Sequence, residues 1–202
     1  MHEPIALSYS IDAADTIEAV SESWTRFATA NGGESVLPSK VVGSPLWRWI
    51  SDASTREVYK ALLKNVRSGA PLVRFRFRCD APRERRLLEM HIAANPGNSV
   101  DFETRLVLSQ PRDNVRLIAA DAPRTEALIS VCGWCMRVHV SQGRWVDVDR
   151  AVVMLELFEA ERLPAITHGM CPSCYDTMMA ALDDEDLIAS GSVTVGGLPI
   201  GS

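Results

Sequence analysis

Apolar and polar positions alternate most strictly where Val73, Phe75, Phe77 and Cys79 interleave with Arg74, Arg76 and Arg78. Successive side chains of a strand point to opposite faces, so this stretch predicts a strand with one core face and one basic, wet face. Leu88, Met90 and Ile92 alternate with Glu89 and His91, and Val100, Phe102, Thr104, Leu106 and Leu108 continue the pattern, predicting two further antiparallel strands. Upstream, Ala6–Ile11 alternates, residues 12–15 read as a tight turn, and 16–20 resume as a second strand. Two amphipathic stretches then follow a helical period. Ser21 or Ser23 is a candidate cap for a helix carrying Trp24, Phe27 and Ala28, which closes near Asn31, Gly32 and Gly33. Leu46, Trp47, Trp49 and Ile50 form an apolar turn. Ser54 or Thr55 is expected to cap a longer helix with Val58, Leu62, Leu63 and Val66 on one face, stopped by Gly69, Ala70 and Pro71.

Turn residues around Gln110 to Asn114 and Asp121 to Arg124 interrupt the pattern and predict two units: 5–110, a linker over 111–127, and a second unit over 128–185. In the second unit, Ser141, Gln142, Gly143 and Arg144 separate two short apolar runs and predict a hairpin. Asp149 is expected to cap a helix reaching about Glu161. Tyr175, Met178, Met179 and Leu182 give the last helix its apolar stripe, and the tail over 186–202, rich in Gly and Ser, is expected to be flexible.

Composition narrows the function classes. Twenty-one basic against 26 acidic residues give a net charge of -5, which works against broad phosphate-backbone binding, so nucleic acid is not the favoured partner. The Arg74 to Arg86 cluster reads first as a solvated sheet edge. No stretch approaches the roughly 20 apolar residues that span a bilayer, and the start lacks a signal-peptide pattern, so a soluble, cytoplasmic protein without a membrane partner is expected.

Chemistry concentrates in four of the five cysteines, Cys132-Gly-Trp-Cys135 and Cys171-Pro-Ser-Cys174. Paired thiolates at this spacing suit a tetrahedral metal site, and one zinc ion per chain is the expected occupant. Gly133 lets backbone amides turn toward the thiolates, and Pro172 suits a first helical turn whose positive end stabilises them. A knuckle, a hairpin and a ligand pair at a helix start make a treble-clef-like finger. A closed four-thiolate shell leaves no open position for catalysis, so no enzyme is expected. The alternative is a thiol-based redox switch or oxidoreductase using the same pairs. His168 is a candidate to stand behind the thiolates, donating a hydrogen bond to one of them or shaping the turn before Cys171. Cys79 stands outside the set.

The element order of residues 5–110, with the run Val42-Gly43-Ser44-Pro45-Leu46-Trp47, resembles the PAS domain. The resemblance implies an α+β fold, a five-stranded antiparallel sheet with helices on one face. The segment Cys132-Gly-Trp-Cys135, Trp145, then Thr167-His168-Gly169-Met170-Cys171-Pro172-Ser-Cys174 is similar to a bacterial module of form C-x-W-C followed by H-G-M-C-P-x-C, found beside PAS, GAF and response-regulator domains. Together the two resemblances imply a bacterial sensory or regulatory protein, with a small-molecule ligand or a protein partner sensed through the PAS-like part. They also imply a homodimer. Trp24, Phe27, Trp47, Phe75, Phe77 and Met90 are candidate lining for a ligand pocket. Haem and flavin, which such domains do hold, are disfavoured here: His91 falls on the polar face and Cys79 at a strand end.

Overall fold

The computed structural model describes residues 6–70 and 72–184; the tail expected over 186–202 lies outside the described residues. The chain forms β1 (Ala6–Ile11), β2 (Ile17–Val20), α1 (Glu22–Ala30), a single-turn α2 (Pro38–Val41) and α3 (Ala53–Arg67). Then come β3 (Val73–Arg78), β4 (Glu84–Ala94), β5 (Val100–Pro111), β6 (Arg124–Cys132), β7 (Val138–Ser141) and β8 (Arg144–Val146). The order ends with α4 (Val148–Met154), β9 (Leu163–Gly169) and α5 (Pro172–Asp183). The protein is α+β, with one five-stranded sheet of order β2-β1-β5-β4-β3 whose pairings are all antiparallel. A second, mixed sheet has the order β8-β7-β6-β9, with β6 and β9 parallel.

Register follows the alternation. Val73 pairs with Ile92, Phe75 with Met90 and Ile92 with Phe102, so one face of the first sheet is a continuous apolar layer. Val58, Leu62, Leu63 and Val66 of α3 are buried in the same core as this layer. Tyr9 stacks on Phe102 with centroids 4.3 Å apart. The opposite face keeps its charges in exchangeable pairs, Arg76 with Glu89 at 3.1 Å and Arg105 with Glu103 at 2.8 Å.

Ser21 holds the N-cap position of α1 as expected, while the caps of α3 and α4 sit elsewhere than the sequence suggests. Asp52, not Ser54 or Thr55, caps α3: its carboxylate accepts the Thr55 amide at 2.8 Å and the Thr55 hydroxyl at 2.7 Å. Asp147, not Asp149, caps α4, which ends at Met154 rather than near Glu161 because Glu156 turns left-handed at φ 53°. The chain then forms β9, a strand the pattern did not signal. The hairpin turn conforms: Gln142 and Gly143 both have positive φ, the geometry that matches strand twist.

The two halves share a core. Cys132, Trp134, Cys135, Met170, Cys171, Met178 and Leu182 pack in the same buried cluster as the α3 face and the first sheet. Segment 111–127, expected as a linker, places Val115 and Leu117 in a second cluster with Ile129, Val131, Val138, Val148 and Leu163. Asn65 of α3 donates to the Leu182 carbonyl of α5 at 3.0 Å. Asn65→Ala is expected to lower stability by about 1 kcal/mol, read as a drop in the urea midpoint, if this bond fastens the last helix.

Candidate metal centre

Two strand ends bring the cysteines together. β6 and β9 run parallel with Cys132 opposite Gly169, so the residues after Gly169 turn in directly beside the residues after Cys132. The knuckle is tied across this seam: the Gly133 amide donates to the Gly169 carbonyl at 2.9 Å, and the Cys132 amide to the Arg137 carbonyl at 2.8 Å. Gly133 therefore commits its own amide to β9 instead of to a thiolate. Met136, at φ 59°, closes the loop with its amide on the Cys132 carbonyl at 3.0 Å. Across the seam Cys171 is the N-cap residue of α5, Pro172 holds the first helical position, and Cys174 follows in the first turn.

All four Sγ atoms lie within 4.8 Å of one another, and those of Cys135 and Cys171 are 3.7 Å apart. A tetrahedral ion with metal–sulfur bonds of about 2.3 Å needs sulfurs about 3.8 Å apart, so the set is sized for one metal ion. The Cys171 amide points at Cys132 Sγ, 3.4 Å away, a dipole that favours thiolate. As thiols the four titrate as a set. Hydrogen bonds from Cys135, and then from Cys171 and Cys174, hold Cys132 well below the ordinary thiol range. Hydrogen bonding to Cys132 pushes Cys135 and Cys174 upward.

The knuckle is also an anchor. Trp134, between the first two cysteines, is 6% exposed and stacks on Phe75 with centroids 5.8 Å apart, edge-on to Tyr59 at 6.1 Å. Its carbonyl accepts the Arg78 amide at 2.8 Å, joining the cysteine loop to the end of β3.

His168 lies on β9, exposed, three positions before Cys171; among the described residues it makes no hydrogen bond to a thiol. The six residues expected to line one pocket are distributed instead. Trp24 donates to the Val36 carbonyl at 2.7 Å and Trp47 to Asp15 at 2.9 Å, while Phe75 and Met90 are buried in the shared core. Phe27 and Phe77 alone of the six line a cleft of about 900 Å³ between the first sheet and the second. Cys79 is apart from the cysteine cluster, and burial pushes its thiol up.

One expectation is overturned at the junction. Arg78 and Arg86 belong to the cluster read as a solvated sheet edge, yet they are 7% and 8% exposed. Arg78 hydrogen-bonds Asp80 and reaches Asp147 at 2.8 Å. Asp80 also accepts from Arg112 at 2.9 Å and from the Arg86 amide at 3.1 Å, and Arg85 reaches Asp149 at 2.5 Å. The second unit covers this end of the sheet, and its aspartates pair with the arginines, a contact that strand alternation does not reveal.

No family model matches the chain, and neither does any curated protein. Among the described residues, no helix is long and apolar enough to cross a membrane.

Proposed function

We propose that the chain is a non-enzymatic sensory or regulatory protein of the cytoplasm, in which a PAS-like domain is built onto a structural zinc ion held by Cys132, Cys135, Cys171 and Cys174. The observation that carries this reading is the packing of four mutually close thiols, with Trp134, into the core of the first sheet. A metal at that point would couple the order of the second unit to the sheet. Soft thiolate sets of this geometry suit zinc, a borderline-soft cation, and unbridged buried thiols suit a reducing compartment. The strand order of the first sheet, with α3 over one face, supports the PAS-like part. The knuckle, the β7–β8 hairpin and the ligand pair starting α5 support the treble-clef-like part, with β9 inserted between hairpin and helix. By the same resemblance the functional unit is a homodimer that relays its state to a protein partner.

The test is metal content and thiol reactivity measured together on untagged protein purified without added zinc. About one zinc per chain, with four thiols protected until denaturation, is the expected result. Folded, metal-free protein carrying a disulfide within Cys132–Cys135 or Cys171–Cys174 would replace this reading with the thiol switch.

A further inference from the structure

The arginines at the junction divide into two kinds. Arg78, Arg85 and Arg112 each pair with a carboxylate of Asp80, Asp147 or Asp149. Arg86 has no carboxylate partner among the described residues, although it is just as buried. Its Nε donates to the Cys79 carbonyl at 2.7 Å and its Nη2 to the Asn31 side-chain oxygen at 3.2 Å, while its Nη1 makes no hydrogen bond among the described residues. The guanidinium sits 5.8 Å from the centroid of the Phe27 ring. Arg124, partly buried, is held in the same way: among the described residues it donates only to the carbonyls of Leu117, Ala119 and Pro164, at 2.9, 2.6 and 3.0 Å. Neutral acceptors orient a guanidinium without cancelling its charge, and a cation withdrawn from water in this way is stabilised by an anion.

Both arginines line the same cleft of about 900 Å³, within the size range of small-molecule sites, which favour junctions between units. Phe77, Val131, Met136 and Ile166 supply apolar wall beside them. Asp80 also lines the cleft, but its carboxylate is fully buried and spent on Arg78 and Arg112. Glu34 and Asp121 are exposed to solvent, where screening weakens their effect on a charge held at Arg86.

We propose that this cleft binds a small amphipathic organic anion, its charged group on Arg86 Nη1 in the field of Arg124 and its apolar body against Phe77, Met136 and Ile166. The site deepens the sensory reading, and rests on it for its biological sense. Its walls come from both units, so an occupant would bear on the seam that joins the cysteine loop to β3.

Calorimetric titration of the full chain with 1-naphthylacetate, octanoate and 1-naphthyl phosphate tests this, with 2-(1-naphthyl)ethanol as the uncharged control. Expected is one-to-one binding of at least one anion, with the alcohol weaker by about tenfold or more. The ranking of carboxylate against phosphate tells which headgroup the cleft prefers. Arg86→Gln should weaken the best anion by at least about tenfold, and Thr29→Trp, an exposed lining position on α1, should weaken it by filling the space. Absence of binding by all three anions, equal binding of the alcohol, or unchanged binding to folded variants would overturn the proposal. Should Arg86→Gln fail to fold, Thr29→Trp and the alcohol decide it in the same way. Metal and thiol content of the same samples separates the two readings. Protein with one zinc that binds no anion sinks the cleft alone, and metal-free protein that binds anion sinks the zinc reading alone.

Discussion

Replacing Cys132 with serine is expected to abolish tight zinc retention and to destabilise the whole chain, not the second unit alone. Cys132 is fully buried, and it belongs to the cluster that also holds Phe75, Leu62 and Phe102. Serine brings a harder, much less acidic ligand atom, and a three-thiolate remnant would open the shell to water. Structural zinc in small sites is associated with apparent binding energies of about 10–16 kcal/mol, comparable to the entire stability of an ordinary domain. Loss of even part of this should lower the melting temperature by more than roughly 10 °C. It should also expose Trp134, read as a red shift of tryptophan fluorescence. Cys79→Ser is the control: that thiol lies outside the cluster, so zinc content should stay at one per chain. Equal zinc retention in both variants would remove the four-thiolate site. Zinc loss with an intact first-sheet core would instead show that the metal orders only its own loops.

How much of this was legible in the sequence depended on whether a signal was local. Strands β3, β4 and β5 stand out because one face of a sheet against α3 imposes a period of two on Phe75, Met90, Ile92 and Phe102, whatever else the chain does. The cysteine pairs stand out because metal geometry fixes their spacing. The Gln142–Gly143 turn stands out because left-handed backbone selects residue types. What escaped was set by neighbours distant in the chain. Arg78 alternates as a surface residue and is buried because Trp134 and Asp147 cover it. Strand β9 lies parallel to β6, and its short apolar run, 163–169, carries neither alternation nor a flanking turn signal. The start of α4 is ambiguous by sequence because Asp147 and Asp149 are equally good caps by type, and Asp147 accepts the Asp149 amide at 3.2 Å while also holding Arg78. Large aromatics mostly fill volume, so they do not mark the pocket. The feature that marks the cleft is a buried arginine without a carboxylate, and no sequence pattern carries that.

Asp80 is the charge on which the junction closes, and Asp80→Asn should cost about 3–5 kcal/mol, read as a fall in the urea midpoint at neutral pH. Its carboxylate is fully buried and faces donors on both oxygens, Arg78 and the Arg86 amide on Oδ1, Arg78 and Arg112 on Oδ2. Arg78 and Arg112 are themselves almost wholly buried. An asparagine has nearly the same shape, but it puts an NH2 group against at least one of these donors and leaves two cations short of one negative charge. Asp147→Asn removes a partner of the same Arg78, yet Asp147 is 37% exposed and water can replace it, so about 1 kcal/mol is expected. Burial pushes Asp147 up, but the hydrogen bond and charge of Arg78 outweigh it and hold the carboxyl below its ordinary range. Its contribution is therefore complete above about pH 4 and disappears as pH falls through the lowered native value. Asp147→Asn should thus flatten the acid limb of the stability curve while leaving the chain folded at pH 7. A cost for Asp80→Asn as small as that for Asp147→Asn would mean that the junction is held by apolar contact alone, and the pairing of Asp80 with Arg78 and Arg112 would then be a consequence of docking instead of its cause.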